Sequence, residues 1–293
     1  MFPAMNLLSV GDQVGPGIYA VHSRFKRVVN FSNGRRFVFL AIEDIGAGPL
    51  SIVLADAGSQ RALARISSLR VEERLLEVDE NRFNRDCIER YRSDFTLQDC
   101  TADRLSLNLE SFRQLLTEAS AANSLAFLIA AGRVGNFTSS LDRAFVSRIQ
   151  RGADQIFGGS LLEGVSMLKG CGAGLTPSGD DFIAGMLIGL HFVQQLRRRE
   201  LRRVIDAVFR AARGDNIFSN TFLDLASRGL LFEKMKKLLM ALPCGESGAV
   251  RAAVLDLFAI GATSGADLAT GLLMTLLEEN GAVTRWKREA ASL

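Results

Sequence analysis

Apolar positions follow two different periods along the chain. Val28 to Phe31 and Phe37 to Ile42 are short runs rich in β-branched and aromatic residues, separated by Ser32-Asn33-Gly34-Arg35. Two such runs around Asn-Gly predict a β-hairpin, with a tight turn whose two central residues both take positive φ. Gly46, Gly48 and Pro49 then break the chain before another strand-like run, Leu50 to Ala55. Weaker strand signals follow near Leu69 to Val71 and Leu75 to Val78, and Gly11, Gly15, Pro16 and Gly17 punctuate the opening.

From about Glu110 the period changes. Phe112, Leu115 and Leu116, then Leu125, Leu128 and Ile129, then Leu141, Phe145, Ile149 and Ile156 recur at three- and four-residue spacing, which places them on single helical faces. Gly132, Gly135, Gly152, Gly158, Gly159, Gly214, Gly245 and Gly248 are read as interruptions between helical stretches. The predicted fold class is α+β, a small β-rich N-terminal domain over 1–110 packed on a larger all-helical C-terminal domain over 111–293.

Composition narrows the function classes. A length of 293 residues suits two domains at roughly 100 to 200 residues each. With 48% hydrophobic and 23% charged residues and only 5 prolines, disorder and low-complexity classes are excluded. Thirty-five basic residues against 32 acidic ones leave a net charge of +3, too little to imply nucleic acid or a membrane surface. Cys87, Cys100, Cys171 and Cys244 lie far apart in no metal-ligand spacing, which argues against a disulfide framework and structural zinc and suits a reducing cytosol. Two histidines, His22 and His191, leave little room for a His-dependent triad. The opening MFPAMNLLSV has no signal-peptide pattern, and the longest apolar runs, Leu125 to Ala131 and Phe182 to Leu190, are shorter than the ~20 residues of a membrane span. The expectation is a soluble, cytoplasmic protein.

Residues 170–187 carry the most information: Gly-Cys-Gly-Ala-Gly-Leu-Thr-Pro-Ser-Gly-Asp-Asp-Phe-Ile-Ala-Gly-Met-Leu. Gly170, Gly172 and Gly174 make a loop nearly free of side chains, and Thr176 before Pro177 is kept out of the helix. A helix is expected to begin just afterwards, capped by Ser178 with Asp181 as the acidic half of a capping box. Eighty-six residues later Ser264-Gly265-Ala266-Asp267-Leu268 repeats the pattern, and Gly271 aligns with Gly185. Both segments fit Ser-Gly-x-Asp-apolar-x-x-Gly-apolar-Leu. This reads either as an internal duplication or as two helix ends shaped for one site. Mid-helix glycine costs about 1 kcal/mol against alanine, usually offset by close packing, so the two helices are expected to cross at Gly185 and Gly271.

Capping alone explains neither the three alternating glycines nor the second carboxylate, Asp180. A helix start approached by a glycine loop offers N–H donors and positive potential, the ordinary means of holding phosphate or carboxylate. No Gly-Lys-Ser/Thr follows the loop and no strand signal precedes it, so neither the Walker nor the dinucleotide pattern is met. Two adjacent carboxylates would repel an anion unless one is engaged in capping. Asp180 is thus left to coordinate Mg²⁺ or to accept from a substrate amide or amine.

The segment GCGAGLTPSGDDFIAGMLIGL, with the later IGATSGADLATGLLM, resembles the AllH family, a subunit of oxamate carbamoyltransferase. Asn216 to Gly229, NIFSNTFLDLASRG, is similar to the family's intervening helical region in a looser way, and the N-terminal part matches only in character, through Gly-Pro-Leu-Ser-Ile at 48–52. The resemblance implies one subunit of a three-component enzyme of allantoin (purine-nitrogen) catabolism, acting with two further subunits. That enzyme moves a carbamoyl group between carbamoyl phosphate and oxamate, with oxalurate and phosphate on the other side.

Carbamoyl phosphate and oxalurate each present an anionic end and an NH₂ group, so the activity and the motif are chemically compatible. The residues expected to carry the chemistry are Asp180, Asp181 and Asp267. Gly170, Gly172, Gly174, Thr176, Ser178, Gly179, Thr263, Ser264 and Gly265 are expected to hold a small anionic substrate. No cofactor is required; Mg²⁺ is possible, with Asp180 and Asp181 as its ligands. Two other functions fit the same residues: a stand-alone Mg²⁺-dependent hydrolase using Asp180, Asp181 and Asp267, and a non-catalytic scaffold subunit that docks a small anion.

Other features weigh less. Cys171 lacks a nearby histidine to activate it, and His191 lies on an apolar stretch that suits a satisfied core residue. The run Arg197, Arg198, Arg199, Arg202 and Arg203, extended by Arg210, is interspersed with Glu200 and Asp206. It reads as a solvated face or subunit contact, as do Lys234, Lys236 and Lys237, and no nucleic acid or membrane partner is expected.

Overall fold

A computed structural model describes residues 5–55, 63–97 and 102–279. Residues 1–4 of the opening segment and Cys100 lie outside the described residues. The architecture is α+β, and the chain divides into two compact units. One comprises Met1–Phe95 with Leu230–Glu233, the other Thr96–Gly229 with Lys234–Leu293.

The first unit is a nine-stranded sheet: β1 (Leu7–Gly11), β2 (Gly17–Arg24), β3 (Val28–Ser32), β4 (Phe37–Ile42), β5 (Ser51–Leu54), β6 (Ser68–Val71), β7 (Leu75–Val78), β8 (Asn81–Asn84) and β9 (Glu89–Tyr91). Their order across the sheet is β8-β7-β6-β2-β3-β4-β5-β1-β9. Pairing is antiparallel except for β4 with β5 and β1 with β9. The core is built by Val10, Tyr19, Phe31, Leu40, Ile52, Leu69 and Leu76, all buried. The runs Val28 to Phe31 and Phe37 to Ile42 form the predicted hairpin, in register from Val28 opposite Ala41 to Ser32 opposite Phe37.

The turn of that hairpin differs from expectation. Gly34 has φ +82°, but Asn33 has no positive φ. The Asn33 side chain instead closes the turn, its Oδ1 accepting from the amides of Arg35 at 3.1 Å and Arg36 at 2.9 Å. An Asx-type turn of four loop residues thus replaces the two-residue form, because the carboxamide does the work that a second left-handed residue would have done.

The second unit is helical: α1 (Ala102–Ala119), α2 (Ser140–Gly158), α3 (Leu161–Leu168), α4 (Ser178–Arg197), α5 (Arg202–Ala212), α6 (Ile217–Ser227), α7 (Glu233–Cys244), α8 (Ser247–Phe258) and α9 (Ser264–Glu279). Helix α7 carries Glu233 from the first unit as its opening residue. Two details correct the sequence pattern. Gly152 and Gly158 lie inside α2, and Gly248 inside α8, rather than between helices. Leu141 is 82% exposed, so the buried face of α2 is set by Val146, Ile149, Ala153 and Ile156.

Helix α4 is apolar on every side and buried along most of its length, the signature of a central core helix. Its most extensive partner is α9. A Cβ on Gly185 would overlap the Leu268 carbonyl oxygen, and one on Gly271 would overlap the Phe182 carbonyl oxygen. One on Gly189 would sit 2.9 Å from Thr275 Cβ. These contacts relate residues through the 86-residue repeat, so the two helices cross at their glycines with both N-termini at the same end, as a local two-fold requires.

Alanine in place of either crossing glycine gains helix propensity yet must push two backbones apart. Gly271→Ala and Gly185→Ala are each expected to destabilise the protein by about 2 kcal/mol or more, against a propensity gain of about 1 kcal/mol. Gly248→Ala in α8, where a Cβ meets nothing within 4 Å, is expected to be neutral or stabilising. Urea denaturation of the three variants checks the sign; equal behaviour would mean the crossing tolerates a methyl group.

Candidate functional site

The loop between α3 and α4 is shaped by backbone that only glycine adopts readily. Gly170, Gly172 and Gly174 have φ of +65°, +124° and +102°. A Cβ on Gly172 would also fall 2.6 Å from the Ser178 amide nitrogen. The loop is held at two points. Asp180 Oδ1 accepts from the Gly170 amide at 2.7 Å, and Asn216 Nδ2 donates to the Leu175 carbonyl at 2.9 Å. Asn216 also caps α6, its Oδ1 accepting from the amides of Phe218 and Ser219.

The start of α4 is not the capping box expected. Pro177 occupies the N-cap position with no side-chain cap, and Ser178 is the first helical residue. Proline supplies an extended φ,ψ and a carbonyl, so the first turn closes through backbone alone. The amides of Asp180 and Asp181 donate to the Pro177 carbonyl at 2.9 and 3.1 Å, and the Gly179 amide donates to the Cys171 carbonyl at 2.8 Å. At α9 the Gly265 amide donates to the Ile260 carbonyl at 3.0 Å and the Asp267 amide to the Thr263 carbonyl at 2.8 Å. Gly179 and Gly265 serve packing, since a Cβ on them would overlap the carbonyls of Leu168 and Leu257. The helix starts therefore offer fewer open N–H donors than the motif suggests.

With the amides so engaged, side chains dominate where the two starts meet. Thr176 Oγ1 donates to Asp181 Oδ2 at 3.1 Å and lies 3.2 Å from Ser264 Oγ. Across the local two-fold, Asp267 Oδ1 accepts from the Leu125 amide at 2.6 Å, while Oδ2 is buried without a hydrogen-bond partner. Thus Asp181 of α4 faces Ser264 of α9, and Asp267 of α9 faces Ser178 of α4. Asp180, Asp181 and Asp267 are 5%, 7% and 0% exposed, beneath a part-exposed rim of Thr176, Ser178, Thr263 and Ser264. Of the residues singled out in the sequence, Asp180 is directed to the loop and the rest of the polar set converges.

The electrostatics follow from burial. Desolvation lifts the Asp181 carboxyl well above the usual range; the hydroxyls of Ser264 and Thr176 oppose this, and the charges of Asp267 and Asp180 add to it. Desolvation lifts Asp267 to about 6, against the Leu125 amide and the hydroxyls of Ser178 and Thr263, neither of which completes a hydrogen bond to Oδ2. Among the described residues no set of three or more His, Cys, Asp or Glu side chains is arranged to hold a metal ion.

Sequence inspection gave no hint of the Leu125 amide, because a backbone donor leaves no residue-type signal. Asn216 carried one, as an asparagine directly before a helical stretch. Cys171 is buried and its thiol is pushed up by desolvation, which disfavours the thiolate. His191 is half-buried and hydrogen-bonded through Nε2 to the Ser227 carbonyl at 2.9 Å. Arg202 pairs with Asp206 at 3.1 Å on α5, whereas Lys234 is largely buried rather than solvated, having been carried inward by the first turn of α7. No helix among the described residues is long and apolar enough to cross a membrane. An open hollow of about 360 Å³, lined by residues including Phe157, Met274 and Glu278, lies at the opposite end of α9 from Ser264.

Asp267 makes stability depend on pH in a direction opposite to an ordinary paired carboxylate. Below its unfolded value of 3.8 both states hold the proton and there is no penalty. Between 3.8 and about 6 the unfolded state ionises while the buried group keeps its proton, so about 3 kcal/mol of stability is lost across that window, and no more is lost above about 6, where both states are ionised. Asp267→Asn cannot ionise. Relative to the wild type it is expected to gain up to about 3 kcal/mol between pH 4 and pH 7.5 in urea denaturation; a constant difference between the two proteins would contradict the burial of that charge.

No curated protein and no solved structure matches the chain. Residues 168–276, from the end of α3 through most of α9, match the family model described as oxamate carbamoyltransferase subunit AllH, the family that the LTPSGDDF segment and its echo resemble.

Proposed function

We propose that this chain is a subunit of a multi-component carbamoyltransferase of the oxamate carbamoyltransferase kind, and that the paired starts of α4 and α9 form its small-molecule site. The observation carrying this reading is the convergence of two Ser-Gly-x-Asp segments 86 residues apart. The hydroxyls of Thr176 and Ser264 lie 3.2 Å from each other, and each helix directs an aspartate to the other's serine. The family match spans both segments and the loop before the first.

Transfer of a carbamoyl group between carbamoyl phosphate and oxamate passes through a tetrahedral centre whose oxygen gains negative charge. A site can accelerate this by orientation and by aiming donors at that oxygen, with no protein nucleophile. Part-exposed hydroxyls over buried acids suit the task, since the serine and threonine hydroxyls can donate and burial favours the proton-bearing form of Asp181. Further subunits supply the remaining substrate contacts. Asp180 is given a positioning role here, holding Gly170 and thus the loop, instead of contact with substrate.

Assayed with its partner subunits, Asp181→Asn is expected to lower kcat/KM by about 10²-fold or more with assembly intact. Asp180→Asn is expected to act mainly through loop placement, raising KM more than it lowers kcat. Unchanged kcat/KM in Asp181→Asn, in a complex that assembles normally, removes the site from the reaction.

A further inference from the structure

Resting on that reading of the site, we infer that the floor between α4 and α9 receives the N–H donor end of its ligand, a primary carboxamide or carbamoyl NH₂, with Asp267 Oδ2 as the acceptor, and does not receive a phosphate or carboxylate. The starting point is an unusual atom. Asp267 is fully buried, its Oδ1 is satisfied by the Leu125 amide, and its Oδ2 has no hydrogen-bond partner. A buried oxygen of this kind costs free energy in the free protein and regains it when a donor arrives.

What surrounds Oδ2 decides which donor. The amides of Gly179, Asp180, Asp181, Gly265 and Asp267 are all engaged by carbonyls of the protein, so these five donors are closed to an anion at the floor, and the amides outside that set belong to the preceding loop and the first residue of each helix. The charged groups that act on Asp181 are the acids Asp180 and Asp267, and the groups that act on Asp267 are the Leu125 amide and two hydroxyls; no lysine or arginine is among them. An anion entering here would meet carboxyls and no compensating cation. A carboxamide fits both sides of the cluster: its N–H donates to Oδ2, and its carbonyl oxygen accepts from the Ser178 or Thr263 hydroxyl beside Asp267. The anionic end of the same molecule then points away from the floor, toward the rim.

Oxamate and oxalate differ at one position, an NH₂ in place of a carboxylate oxygen, and separate the two polarities directly. Titration calorimetry of the full-length chain, alone and assembled with its partner subunits, with oxamate, oxalate and inorganic phosphate as probes, is expected to show oxamate bound roughly tenfold or more tighter than oxalate. Asp267→Asn, checked for folding by circular dichroism, is expected to abolish the preference. Oxalate or phosphate binding as tightly as oxamate overturns the inference, as does a preference that survives in Asp267→Asn, or no oxamate binding in either form. Failure here is distinct from failure of the proposed function. Asp181→Asn can still abolish transfer in a complex that shows no amide preference, and an amide preference can persist in a chain on which transfer does not depend.

Discussion

The close crossing of α4 and α9 is the constraint on which the rest of the helical unit depends. Two helices can bring their backbones into contact only where neither carries a Cβ, and Gly185 and Gly271 provide that point on each. Once the axes are fixed by this contact, and Gly189 closes on Thr275 further along, the positions of both N-termini follow. Ser178 and Ser264 lie the same number of residues before their glycines, so one crossing places both polar starts at one end. The glycines are expensive in an isolated helix, and the buried apolar faces of α4 and α9 offset that expense.

Much of this was legible in the sequence because it is written in residue types at fixed spacing. The repeat Ser-Gly-x-Asp with a glycine four residues on showed that two helices share a start and a crossing. The apolar runs Val28 to Phe31 and Phe37 to Ile42 showed a hairpin, and both its strands have the pairing those runs require. What escaped notice lacks a local signature. Strand β8, Asn-Arg-Phe-Asn, is a polar edge strand stabilised by its pairing with β7, and β9 is three residues held in parallel beside β1. Leu230–Glu233 joins the first unit through backbone bonds from Leu231 to Ser93 and from Glu233 to Ala47, which no composition or period announces.

The capping-box expectation for Ser178 and Asp181 failed for an instructive reason. The motif Ser-x-x-Asp is common to helix starts, and in α2 the pair Ser139 and Asp142 forms the box in full. In α4, Pro177 supplies the N-cap backbone, which frees both side chains of the motif from capping. Asp181 then reaches Thr176 on its own loop and Ser264 on the neighbouring helix, and Ser178 turns toward Asp267. Residues read as a local device have become a contact between two distant segments, because the neighbouring start is close enough to compete for them.

A fold selected only for stability would not keep this cluster. Asp267 could be asparagine, retaining the acceptor for Leu125 while shedding the cost of a buried charge, and Asp181 could lose its acid with a similar gain. Neither change asks anything of the crossing glycines or of the apolar faces that hold the helices together. Buried acids with raised pKa values, one with an unsatisfied oxygen, carry a cost in free energy, which under the proposed function a ligand offsets. The amides of Gly179, Asp180, Asp181, Gly265 and Asp267 are committed to the turns that close the helix starts, while Asp267 Oδ2 is left as unused acceptor capacity. Such capacity is met by a hydrogen-bond donor and not by a group that only accepts, which ties the proposed ligand chemistry to the same backbone geometry that closes the helix starts.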